Sequence, residues 1–63
     1  MKELDVVKLI KDFGKIKAGT KGTIVCEYDG SDVEVEFIDS NGQTIDVQTV
    51  PTELLELVIK YKP

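Results

Sequence analysis

The stretch "VEVEFIDSNGQTIDV", residues 33–47, decides how this chain folds. Valine alternates with glutamate up to Phe37, which is the period-two pattern of a strand with one apolar and one polar face. Asn41-Gly42 then gives a strong hairpin signal, and the alternation resumes behind it. The stretch therefore predicts a β-hairpin that buries its valines and phenylalanine and turns its glutamates outwards.

The alternation also assigns the side chains of the hairpin to its two faces. On the first strand it predicts an inner face of Val33, Val35 and Phe37 and an outer face of Glu34, Glu36 and Ile38. On the second strand, within residues 43–50, it predicts that Ile45 and Val47 point inwards and that Thr44, Asp46 and Gln48 point outwards.

Turn signals divide the chain before the hairpin into short segments, as in an all-β sandwich or barrel. We predict a first strand over 4–10, because its paired valines favour a strand over a helix. A long loop over 11–22 follows, with Phe13 and Ile16 as its apolar anchors. The next strand, over 23–28, completes a three-strand meander with the hairpin.

The end of the chain opens with Pro51, which cannot donate to a sheet hydrogen bond but suits the first turn of a helix. We predict a one-turn 3₁₀ helix over 51–54. A last strand is predicted through Leu55, Leu57 and Ile59. Residues 1–63 are thus predicted to form a single all-β domain of five strands.

Composition limits the chemistry that the chain can perform. A 63-residue domain has little core, and a ligand pocket usually takes about 300 Å³ or more. The chain has no histidine, which removes the commonest general base and transition-metal ligand. Cys26 is the only cysteine, and we interpret it as a small apolar side chain. We therefore expect no enzyme activity, no catalytic residue, no metal and no cofactor.

The net charge argues against non-specific nucleic-acid binding, and the lack of a long apolar run argues against a membrane span. The formal net charge is −4, and the basic residues include no arginine, so repulsion opposes a phosphate backbone and no guanidinium is present to bind it. No run approaches the roughly 20 apolar residues that a membrane span needs, and the N-terminal segment lacks the apolar core of a secretion signal. We expect a cytoplasmic location.

The order of the segments resembles the SH3-like barrel: a strand, a long arm ending in "AGTKGTIV", a meander, a proline-led turn and a closing strand. The stretch "KAGTKGTIVCEYDGSDVEVEF" resembles the KOW-type version of that barrel. In addition, "LDVVKLI", "KAGTKGTIV", "VEVEFIDSNGQTI" and "LLELV", in that order, resemble a bacterial family of small proteins with a domain of unknown function. That resemblance implies the fold and a bacterial cytoplasmic setting, and it supplies no catalytic residues.

Acidic side chains are concentrated around the predicted hairpin. Six of them lie within thirteen positions, namely Glu27, Asp29, Asp32, Glu34, Glu36 and Asp39. They form either an electronegative face that binds a basic partner or a charged surface that keeps the sheet soluble and stops its edges from pairing. A calcium site is disfavoured, because "DGSD" lacks the spaced oxygen ligands of the known loop.

Our first functional hypothesis is a non-enzymatic protein-interaction module, such as an accessory or antitoxin-like partner protein. Its candidate partner-binding residues are Tyr28, Glu34, Glu36 and Leu54. Leu54 stands where peptide-binding SH3 domains carry an aromatic residue, but two tyrosines, two phenylalanines and no tryptophan do not suffice for a proline-binding groove. Formation of a homodimer would bury further apolar surface.

The alternative hypothesis is a KOW-like nucleic-acid or ribosome-associated factor. Its candidate binding residues are Lys15, Lys17 and Lys21 on the long arm. Only Phe13 interleaves with these lysines, so the stacking platform of single-strand binders is missing. The sequence therefore favours a protein partner over nucleic acid.

Overall fold

The computed structural model describes residues 1–62 and has an all-β architecture. Five antiparallel strands form one open sheet in the order β4-β3-β2-β1-β5. The strands are β1 (Val6–Leu9), β2 (Lys21–Glu27), β3 (Asp32–Ile38), β4 (Thr44–Pro51) and β5 (Leu55–Ile59), and a 3₁₀ helix (Thr52–Leu54) precedes β5. The predicted fold class is confirmed, and the architecture is consistent with an SH3-like barrel. Pro63, which belongs to the predicted domain, lies outside the described residues.

The core lies on one face of this sheet. Its buried members are Val7, Leu9, Ile16, Ile24, Val33, Val35, Phe37, Val50 and Leu55. The three inward residues predicted for β3 are among them, and none is more than 1% exposed. The described residues form no second sheet or helical layer that could cover this face. The sheet must therefore curl around its inner face to bury these side chains.

The long loop before β2 closes one end of this core. The backbone groups of Phe13 and Ile16 bond to each other in both directions, at 2.8 and 2.9 Å. Ile16 is buried, and Phe13 packs against the core from the loop. Both anchors that the sequence predicted for this loop therefore contact the core.

The hairpin between β3 and β4 is confirmed, but its turn has three residues. The backbone N–H of Asp39 donates to Gln43 at 2.9 Å, and Gly42 has a φ of +81°. The carboxylate of Asp39 accepts from the backbone of Asn41 and Gln43. A type I turn followed by a left-handed glycine fits this pattern.

The faces predicted for β4 are wrong from residue 45 to residue 48, whereas Thr44 is exposed and points outwards as predicted. The ladder places Phe37 opposite Asp46, Val35 opposite Gln48 and Val33 opposite Val50. Opposed residues share a face, so the inner positions of β4 are 46, 48 and 50. Ile45 and Val47, predicted to point inwards, are 50% and 45% exposed.

A register irregularity accompanies this difference. Phe37 pairs with Asp46, whereas the next residue, Ile38, pairs with Thr44, so Ile45 is an extra residue on β4. An extra residue in one strand changes which side chains face the core beyond it.

The last strand is confirmed in place but lies largely at the surface. Leu55 is 6% exposed, whereas Leu57 and Ile59 are 45% and 60% exposed. β5 pairs only with β1 and forms one edge of the sheet, while β4 forms the other. Within residues 1–62, no helix is long and apolar enough to cross a membrane.

Candidate protein-binding face

The outer face of the sheet is the face opposite the core. The register aligns its side chains in rows across the strands, one of which contains Ile59, Val6, Thr23, Glu36 and Val47. A second row contains Cys26, Glu34 and Thr49. Acidic, hydroxyl and apolar side chains therefore alternate on one continuous face.

Tyr28 stands beside the second row, at the end of β2. Its side chain is 57% exposed. The negative charge of Glu34 raises the pKa of Tyr28, and partial desolvation of the phenol acts in the same direction. The structure therefore brings together Tyr28 and Glu34, two of the residues predicted to bind a partner.

Glu36 lies two positions along β3 from Glu34, a spacing of about 7 Å. Its carboxylate accepts a hydrogen bond from the hydroxyl of Thr44, and Val47 lies opposite it on β4. We define the hairpin face as Tyr28, Glu34 and Glu36.

Leu54, the fourth predicted partner-binding residue, lies elsewhere. It is partly buried and packs against the core, and its carbonyl accepts from the backbone of Ile10 at 2.8 Å. The structure does not bring it together with the hairpin face.

The three lysines predicted for nucleic-acid binding occupy different surroundings. Lys15 lines a cavity of about 350 Å³ between the long loop and β4, together with Asp46 and Gln48. Lys17 forms an exposed ion pair with Asp12 at 3.6 Å. Lys21 lies on the outer face of β2, opposite Lys8 and Ile38. Two of the three thus have carboxylates nearby, and nucleic-acid binding stays a prediction.

A second cavity, of about 480 Å³, lies between the start of the chain and the turns at residues 28–31 and 52–54. Its lining residues are Met1, Lys2, Glu27, Asp29, Gly30, Thr52 and Glu53. Exposed side chains form most of the lining of this second cavity, whereas the first is also lined by the buried Ile16. Among residues 1–62, no cluster of three or more acidic or cysteine side chains is arranged to hold a metal ion.

Sequence reasoning missed Asp5, a charged residue that is only 3% exposed. Its carboxylate accepts from the backbone N–H of Tyr61 at 2.9 Å and from that of Lys2 at 3.0 Å. These two donors, that of Tyr61 first, hold the pKa of Asp5 below its ordinary value of 3.8. No sequence pattern signals this contact, because Tyr61 is 56 positions away. Asp5 is a structural residue that ties the two ends of the described chain together.

Comparison with known proteins places this chain in a family. No curated protein and no solved structure matches the chain. The family model described as "Domain of unknown function (DUF4926)" matches residues 3–57, which includes all of β1 to β4 and most of β5. The chain therefore belongs to this family of domains of unknown function.

Proposed function

We propose that the chain is a non-enzymatic protein-interaction module that binds its partner through the hairpin face. The observation that carries this proposal is the pairing of a half-exposed tyrosine ring with the Glu34 carboxylate on one side of the sheet. The complementary partner surface would carry apolar and basic side chains. An accessory or antitoxin-like role is the finer form of the same proposal.

Two physical arguments support a binding role over a purely solvated hairpin. Solubility and edge protection account for the glutamates, and Tyr28 adds an exposed aromatic ring beside them on the same face. Tyrosine is enriched at interfaces because it supplies contact area at a low cost in side-chain entropy. Nearby carboxylates add orientation and a faster encounter with a basic partner.

Capture of a partner from native cells tests the proposal. We expect Tyr28→Ala, and separately Glu34→Lys with Glu36→Lys, to weaken binding of the captured protein by at least about tenfold, as for hot-spot residues. The matched control is Glu3→Lys with Glu53→Lys, which makes the same charge change at two exposed positions outside the hairpin face. Circular dichroism checks that each variant is folded.

Two outcomes would reject the hairpin face. One is a partner that both hairpin variants retain at wild-type affinity. The other is a control variant that loses the partner as fully as the hairpin variants do, which would indicate a response to net charge alone.

The same preparation tests the nucleic-acid alternative. Fluorescence anisotropy with mixed RNA and DNA at low salt would show binding that falls steeply as salt rises, if phosphate contacts dominate. Such binding, together with its loss on changing Lys15, Lys17 and Lys21 to glutamate, would favour the alternative over the proposed function.

A further inference from the structure

β4 is an edge strand whose middle turns backbone groups away from β3. It is hydrogen-bonded to β3 and to no other strand. The N–H of Val47 donates to the Oδ1 atom of Asp46 at 2.8 Å and not to β3. Because neighbouring positions of an antiparallel ladder alternate in direction, the backbones of Asp46 and Gln48 bond to β3. Those of Val47 and Thr49 face the free edge.

The side chains along this edge are apolar and exposed. Ile45 and Val47 are 50% and 45% exposed. An unpaired strand of this kind is a template for another strand, and natural edges are usually blocked by lysine, proline or bulges. From residue 44 to residue 50 β4 contains no lysine and no proline, and its one charged residue is Asp46. The extra residue at Ile45 lies at one end of this range, and the register is regular from residue 46 to residue 50.

We propose that β4 pairs antiparallel with β4 of a second copy of the chain, about a two-fold axis through Val47. In this register Val47 lies opposite Val47 of the other copy. Ile45 lies opposite Thr49, and Asp46 lies opposite Gln48. This proposal concerns the edge of the sheet and not the hairpin face, so it can be tested independently of the proposed function.

Hydrogen bonding selects this register. Pairing exchanges the bond from the Val47 N–H to Asp46 Oδ1 for a bond to the other copy. The outward N–H and C=O of Val47 in each copy then meet those of the other copy, which gives two backbone hydrogen bonds at the axis. The side chains of Asp46 and Gln48 are a compatible acceptor and donor, since the Gln48 amide donates to Asp46 Oδ2 at 2.7 Å within one chain. In the dimer, the Asp46 carboxylate of each copy lies opposite the Gln48 amide of the other copy, so this contact occurs twice.

Neighbouring registers are less favourable. A shift of two residues in one direction places Asp46 opposite Asp46, and like charges directly opposite are destabilising. A shift in the other direction places Ile45 opposite Pro51, which has no N–H to donate. The two-fold axis through Val47 is the register that avoids both defects.

The dimer is expected to be weak and to respond to salt. One short strand edge buries much less than the roughly 1,600 Å² of a standard interface. Each copy carries a net charge of −4, so screening by salt lowers the repulsion between copies. We expect a monomer at low micromolar concentration and a dimer that accumulates near about 1 mM, more so at high salt.

Analytical ultracentrifugation over this range tests the proposal. Val47→Lys places two ammonium groups opposite each other and is expected to weaken dimerisation at least about tenfold. Leu57→Lys is the control on the opposite edge strand, because Leu57 is also 45% exposed. Leu57 lies opposite the buried Val7, so circular dichroism checks that this variant is folded. It should dimerise like the wild type.

Amide exchange in the unmodified chain gives a readout that needs no variant. The proposal predicts that exchange at Val47 and Thr49 slows as protein concentration rises, while exchange at Leu57 does not. A chain that stays monomeric at 1 mM in high salt would overturn it. So would a dimer that Leu57→Lys dissolves and Val47→Lys leaves intact. If Tyr28→Ala loses the captured partner but still dimerises, the result supports the hairpin face as the partner-binding site and shows that dimerisation does not depend on it.

Discussion

At Gly22 the sheet leaves no room for a side chain. A Cβ atom there would lie 2.5 Å from Val35 Cγ1 and 2.8 Å from the carbonyl oxygen of Glu36. The carbonyl belongs to the backbone of β3 and cannot move without disturbing the ladder. Gly22 is therefore required by the close approach of β2 and β3, not by its φ angle.

We predict that Gly22→Ala lowers the free energy of unfolding by about 1–3 kcal/mol, the usual range for an overpacked core. Gly30→Ala is the control, since nothing lies within 4 Å of a Cβ atom at that position. Its effect should stay within about 1 kcal/mol. Urea unfolding of both variants measures the difference, and equal losses would contradict the close packing at Gly22.

Asp5 gives the stability of the chain a dependence on pH. The folded state lowers the pKa of this carboxyl below 3.8, through the backbone donors of Tyr61 and Lys2. A group with a lower pKa in the folded state contributes stability at neutral pH and loses it as the pH falls through that pKa. The contribution of Asp5 is therefore complete at pH 7, declines as the pH falls below 3.8, and is lost once the pH passes the lower pKa of the folded state.

We predict that Asp5→Asn lowers the melting temperature at pH 7 and that the gap from the wild type narrows in strong acid. The asparagine lacks the charge and the second acceptor oxygen that the two N–H groups use. Glu3→Gln, an exposed neighbour, serves as the control and should leave the melting temperature nearly unchanged. A gap for Asp5→Asn that is the same at pH 7 and in strong acid would show that the ionised carboxylate contributes nothing.

Among the elements, the long loop behaves as part of the core. Ile16 is 4% exposed in the loop, whereas Ile10, at the start of the same loop, is 49% exposed. We predict that Ile16→Ala costs about 2–4 kcal/mol of unfolding free energy, while Ile10→Ala costs under about 1 kcal/mol. Thermal or urea unfolding compares the two, and similar costs would mean that the loop does not close the core.

The sequence predicts elements well where alternation and turn chemistry agree. β3 follows its pattern residue for residue, because its inner positions are all apolar and its outer positions are largely charged. β4 does not, because its apolar residues fall on both faces and the extra residue at Ile45 changes the alternation. A bulge of this kind depends on how two strands meet, which a single-strand pattern does not contain.

At the scale of the whole molecule, the candidate site could be predicted only in part. Tyr28 and Glu34 are close because β2 and β3 form a hairpin, which the turn signals at residues 29–30 imply. Leu54 is separated from them because the 3₁₀ helix carries it onto the core, and the sequence alone does not reveal which side of the sheet that helix covers. The free edge of β4 follows from the strand order, which is a property of the assembled sheet.

The fold described above requires β4 to be an edge strand with residues 46, 48 and 50 on its inner face. Amide hydrogen exchange of a dilute sample, followed by NMR, measures this directly. We predict slow exchange at Asp46, Gln48 and Val50, whose N–H groups bond to β3, and fast exchange at Thr49. Val47, whose N–H bonds only to the exposed Asp46 carboxylate, should exchange faster than those three. Slow exchange at Val47 and Thr49 in a monomer, with fast exchange at the other three, would contradict the register and with it the free edge.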